Sequence, residues 1–118
     1  RHLDKGRVVV LAGGVGRTGV STDFAAAQAA WELGAVAILK GTKVEGIFDK
    51  DPKKYNDAQF LPEITYNDVI AQRLKVMDDA AFSYARDKFK MPTHVFNIFT
   101  KGNLSRVVHG EKVGSVIR

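Results

Sequence analysis

The sequence predicts a layered α/β fold with a mostly parallel sheet, and three observations predict it. A short β-branched run, Arg7 to Ala12 (RVVVLA), is followed at once by glycines, as in a buried parallel strand that enters a tight turn. An alanine-rich stretch, Phe24 to Leu33, closes on Gly34, the residue that most readily ends a helix. A second apolar run, Ala35 to Leu39 (AVAIL), follows directly. Strand, helix and strand at this spacing make a βαβ unit, whose crossover is right-handed.

The remaining elements follow in order. Gly13 to Gly19 is a loop, and Ser21, Thr22 and Asp23 offer N-cap side chains for the helix after it. Lys40 to Pro62 is polar and turn-rich, with Gly41, Gly46, Pro52 and Pro62. It is longer than a connector needs to be, which marks it as functional. Thr65 can cap a helix from Tyr66 to about Arg73, and a further helix runs from about Met77 to Phe89. Pro92 ends it, and Thr93 to Asn97 (THVFN) reads as a strand. Gly102 and Asn103 open a short helix that runs through Val108 and stops at Gly110, and Gly114 to Ile117 is a last strand. Such alternation belongs to α/β layers.

Composition narrows the function. The 118 residues, 45% hydrophobic and 26% charged, suffice for a single domain with its own core. There is no cysteine, so thiolate chemistry is excluded, and His2, His94 and His109 have no ligand spacing. No apolar run reaches the length of a membrane span and no signal-peptide core opens the chain, so a cytoplasmic location is expected. The net charge of +5 comes from scattered Lys and Arg without interleaved aromatics. That favours a solvated face with a few phosphate-facing cations over a nucleic-acid platform.

Gly14-Val15-Gly16-Arg17-Thr18-Gly19 matches G-x-G-x-x-G between a strand and a helix. A P-loop is rejected because Val20 stands where its phosphate-binding lysine belongs. A dinucleotide site needs an acidic residue at the end of the second strand, and that strand ends in Lys40-Gly41-Thr42. A 2′-phosphate variant could use Lys40, so an NADP-binding domain stays as an alternative. Independently of either motif, four glycines in the seven residues from Gly13 to Gly19, followed by Ser-Thr-Asp, suit anion binding by backbone N–H groups and a helix start. Arg17 could add a fork of donors. The plainer role for these glycines is a tight turn with positive φ.

Four blocks, in order, resemble the bacterial uridylate (UMP) kinases of the amino acid kinase family. Lys40 to Pro52 (KGTKVEGIFDKDP) is similar to the family's K-A-T-K-V-D-G-V-Y/F-x-x-D-P. Leu74 to Asp78 matches L-K-V-M-D. Val95-Phe96-Asn97 with Gly102 to Glu111 resembles V-F-N…G-N-L-x-R-V-V-x-G-E, and the opening RHLDKGRVVV also fits.

The resemblance implies a three-layer sandwich, the amino acid kinase fold, with residues 1–118 as one C-terminal, ATP-binding lobe. The family's N-terminal half, with its phosphate-gripping lysine loop, is expected to lie outside these residues. The implied reaction transfers a phosphoryl group from ATP to UMP, giving ADP and UDP, with Mg²⁺ bound through the nucleotide phosphates. A homo-hexamer and a GTP effector are implied as well.

Residue by residue, the family's UMP-contacting loop, T-G-N-P-F-F-T-T, falls on Val15, Gly16, Arg17, Thr18, Gly19, Val20, Ser21 and Thr22. Arg17 to Val20 depart from it, which leaves open a non-catalytic nucleotide- or anion-binding module. Asp23 matches the acidic residue near the reacting phosphates. Thr42, Lys43, Phe48 and Asp51 fall on the ATP side, with Phe48 as a flank for adenine. Lys75 and Asp78 are the remaining catalytic candidates; in isolation they read as an ion pair on a helical turn. The lobe without its other half should expose Arg7–Ala12 and the helix side at Phe24, Ala27 and Trp31. It is expected to be inactive by itself.

Overall fold

Ser21 begins the first helix: its backbone is extended and its Oγ accepts a hydrogen bond from the Phe24 amide at 3.1 Å. Helix α1 (Thr22–Glu32) follows, with Asp23 in its first turn, where a carboxylate is favoured by the helix dipole. The computed structural model describes the backbone of residues 1–118 and every side chain except those of Lys88 and Phe89. Thr65 and Asp78 cap α2 (Tyr66–Ala71) and α3 (Asp79–Tyr84) in the same way, through the Asp68 and Ala81 amides. A π-helical turn, Ala85–Phe89, extends α3, and α4 is Asn103–Val108.

The main sheet has the order β1-β5-β6-β4, with β1 at Ile38–Thr42, β4 at Glu63–Ile64, β5 at Thr93–Asn97 and β6 at Ser115–Ile117. β1 runs parallel to β5, from Ile38 opposite Thr93 to Thr42 opposite Asn97. β4 is parallel to β6, and β5 and β6 are antiparallel. The sheet is therefore mixed but mostly parallel, in the expected α/β fold. A small antiparallel hairpin, β2 (Ile47–Phe48) with β3 (Phe60–Leu61), stands apart from it.

Strand alternation places the core. Val95 and Ile117 face Tyr66 and Val69 of α2, Phe82 of α3 and Ala85 in one buried cluster. The Tyr66 and Phe82 rings lie 5.2 Å apart, and burying a ring such as Phe82 contributes roughly 2–3 kcal/mol. The Tyr66 hydroxyl reaches Met91 O and Thr93 Oγ1, so its polar end is satisfied inside the core. Burial pushes that phenol up from its ordinary value, and the Thr93 hydrogen bond works against the shift. Gly114 closes the approach to β6 with φ +69°; a Cβ there would lie 2.1 Å from Val95 O.

The structure departs from the sequence reading at four places. Arg7–Ala12 is not a strand: no strand pairs with it, and Val8 and Val10 are 94% and 87% exposed. A β-branched run becomes a strand only where another strand's N–H and C=O groups meet it. The second strand is Ile38–Thr42 rather than Ala35–Leu39, because pairing with β5 begins beyond Pro92 and leaves Val36 in solvent. The turn-rich stretch holds two two-residue strands, β2 and β3, and β4 follows directly after Pro62; all three are too short to leave an alternation in sequence. The α1 side expected to be open is only partly so: Ala27 is buried and the Phe24 and Trp31 rings meet Tyr84 at 5.4 and 6.1 Å, while Trp31 remains 48% exposed.

Candidate phosphoryl-transfer site

Lys40 lies on β1 between Ile38 and Thr42, and alternation turns all three toward the helices. Its Nζ donates to Asp23 Oδ2 at 2.9 Å and to the carbonyl of Val76 at 2.7 Å. One lysine thus ties β1 to the first turn of α1 and to the segment that enters α3. Ser21 Oγ, besides capping α1, donates to Asp78 Oδ2. Asp78 Oδ1 in turn caps α3 by accepting from the Ala81 amide at 2.9 Å. Two helix starts, two carboxylates and one ammonium therefore form a closed ring at the exit of the glycine loop.

The electrostatics follow from these contacts. Partial burial alone would raise the Asp78 carboxyl. The Ser21 hydroxyl, the Ala81 and Ala80 amides and the Lys40 charge outweigh burial and hold it below the ordinary carboxylate range. The Asp23–Lys40 pair is partly sheltered, with side chains 34% and 24% exposed. Asp23 Oδ1 takes no hydrogen bond among the described residues.

Thr42 stands two residues beyond Lys40, roughly 7 Å along the same strand face, at the carboxyl end of β1. Its hydroxyl oxygen accepts from the Val44 amide at 3.1 Å and lies 3.3 Å from the Phe96 carbonyl. The chain after it is anchored by Asn97 Nδ2 donating to Glu45 and by Ser115 Oγ accepting from the Ile47 amide. Phe48, half-buried in the hairpin, meets Phe60 edge-on at 5.5 Å. Asp51 is exposed and folds a turn by accepting from the Lys53 amide. Lys43 is exposed.

Of the remaining sequence-predicted residues, Val15 is half-buried, whereas Gly16, Arg17, Thr18, Gly19, Val20 and Thr22 are exposed. Gly13, Gly14, Gly16 and Gly19 all have positive φ, and a Cβ at any of them would meet open space. The turn requires glycine for its backbone rather than for close packing. Lys75 is exposed and makes no ion pair among the described residues, so the expected pairing with Asp78 does not form.

The structure gathers Ser21, Asp23 and Asp78 around Lys40, a residue considered in the sequence only for a 2′-phosphate. Its signal was available: a lysine at an inward-facing strand position requires a buried or half-buried anion.

Between Val9–Val15, α1 and Leu39 lies an open groove of about 1200 Å³, and Arg17 and Thr22 are on its wall. Among the described residues no helix is long and apolar enough to cross a membrane.

Comparison with known proteins covers this whole arrangement. Residues 1–97 match the profile of the amino acid kinase family. Over all 118 residues the chain is 47% identical to a uridylate kinase of Xanthomonas euvesicatoria pv. vesicatoria, of which it covers 49%. The crystal structure of UMP kinase from Bacillus anthracis superposes with a TM-score of 0.94 at 42% identity, over 99% of this chain and 48% of that one. UMP kinase from Ureaplasma parvum gives 0.90 at 32% identity, over 98% and 49%. The chain thus spans about half the length of the relatives it matches.

Proposed function

The chain belongs to the amino acid kinase family, and from that premise we propose that it is the ATP-binding lobe of a UMP kinase. The whole polypeptide would transfer the terminal phosphoryl group of ATP to UMP. The observation that carries this reading is the meeting of Asp23 and Asp78 around Lys40 at the exit of the glycine loop. It lies in a chain 47% identical to a uridylate kinase along its full length.

Phosphoryl transfer asks for positioning and charge stabilisation rather than covalent help. Asp23, with one oxygen open, orients cations beside the reacting phosphates. Asp78 stays ionised at neutral pH and holds the start of α3 against α1. The loop from Val15 to Thr22 offers backbone N–H groups to the UMP side, with Arg17 as an added cation. Thr42, Lys43, Phe48 and Asp51 receive ATP along the segment that leaves β1. Phe48 supplies an apolar flank for the adenine ring. The open oxygen of Asp23 suits Mg²⁺ carried on the nucleotide phosphates. When bound, Mg²⁺ neutralises charge on the transferring phosphates.

The dinucleotide alternative loses its cation, since the Lys40 ammonium is engaged by Asp23 and Val76.

The test is a coupled assay of UMP-dependent ADP release with Mg²⁺-ATP. Turnover is expected when these residues are joined to the other half of the polypeptide, and none from the 118 residues alone. The joined polypeptide releasing ADP no faster with UMP than without it would sink the assignment. In the same preparation Phe48→Ala should raise KM for ATP more than about tenfold and leave KM for UMP nearly unchanged, as loss of a ring contact worth about 1.5 kcal/mol requires.

A further inference from the structure

Lys40 sits at the centre of the ring, and both hydrogen bonds of its ammonium go to the protein itself. A half-buried ion pair of this kind adds little to stability, because desolvation offsets most of the attraction. An apolar side chain at an inward-facing strand position would serve the fold as well. What Lys40 supplies is geometry. Its two hydrogen bonds, 2.9 Å to Asp23 Oδ2 and 2.7 Å to the Val76 carbonyl, fix a carboxylate on α1 and the backbone two residues before Asp78 to one point on β1. Ser21 closes the ring from the other side by joining the caps of α1 and α3. Lys40 holds Oδ2 of Asp23, and Oδ1 takes no hydrogen bond among the described residues.

We propose that Lys40 is the positioning residue of the phosphoryl-transfer site, setting the separation and orientation of the Asp23 and Asp78 carboxylates by binding Asp23 and the Val76 carbonyl together. The inference rests on the proposed kinase reading for its reaction. Its geometry is independent of that reading.

The experiment compares wild type, Lys40→Met and Lys40→Arg in the complete polypeptide that contains these residues. Two readouts are taken: steady-state kinetics with ATP and UMP, and carboxylate titration of Asp23 and Asp78 by carbon NMR. Lys40→Met should lower kcat 10- to 100-fold, the loss that a misplacement of about 1 Å produces, with KM for both nucleotides changed less than about threefold. The Asp78 titration should move upward in the same variant. Lys40→Arg, which keeps charge and donors, should recover at least a tenth of the wild-type kcat.

An unchanged kcat in Lys40→Met overturns the proposal. So does a kcat loss without any change in either carboxylate titration, which would mark Lys40 as merely structural. Should Lys40→Met fail to fold, the Lys40→Gln variant carries the same two readouts. A wild-type polypeptide without UMP phosphorylation defeats the kinase reading. The carboxylate titrations then decide the placement of Lys40 alone: a shift in the variant supports it, and no shift overturns it.

Discussion

Asp78 performs two tasks with two oxygens: Oδ1 caps α3 and Oδ2 accepts from Ser21 across to α1. From sequence it resembled half of a surface ion pair with Lys75, because residues three apart on a helix are neighbours. The extended backbone at Asp78 puts it before the helix instead, so that pairing never arises. Because hydrogen bonds and the Lys40 charge depress its carboxyl despite burial, its contribution to stability is present above the ordinary value of 3.8. It is lost as pH falls through the lower folded value. Asp78→Ala should cost about 1 kcal/mol at neutral pH, the usual worth of an N-cap. In urea unfolding the gap from wild type should close below pH 4. A gap independent of pH would show that the charge is not involved.

At the scale of elements, the caps of α1 and α2 were readable, whereas that of α3 and the strand limits were not. Thr65 caps α2 as its sequence position predicts, and of the three cap candidates Ser21, Thr22 and Asp23 it is Ser21 that caps α1. β1 lies three residues later than its apolar run, because its limits come from pairing with β5 and not from its own side chains. The approach of β6 to β5 depends on Gly114, which combines a left-handed backbone with a space that Val95 O already occupies. Gly114→Ala should therefore destabilise by about 3 kcal/mol, the sum of a left-handed non-glycine residue and an overpacked contact. Thermal and urea unfolding measure it; a loss below about 1 kcal/mol would mean that the loop before β6 relaxes freely.

For the molecule as a whole, the sheet order leaves the outer edge of β1 unpaired, and Arg7–Ala12 lies beside a wide groove with Val8, Val10 and Leu11 exposed. An open strand edge next to a β-branched run favours association between chains. The 118 residues alone should sediment as dimers or larger species. Val8→Lys combined with Val10→Lys should shift them toward monomer. A well-folded wild-type monomer across the concentration range would overturn this expectation.

By itself the sequence determined what is local. The caps of α1 and α2, the glycine loop with its positive φ, helix stops and the family motifs from Lys40 to Pro52 and Leu74 to Asp78 are all carried by residues within a few positions of one another. Fold class was legible for the same reason, since it follows from the order of such segments. Only the tertiary structure decided which residues meet over long separations. Lys40 is 17 residues from Asp23 and 36 from Val76, and Ser21 is 57 from Asp78. No periodicity within one segment encodes those distances. The same limit explains Arg7–Ala12, whose composition calls for a strand, because strand formation depends on a partner edge that composition cannot name.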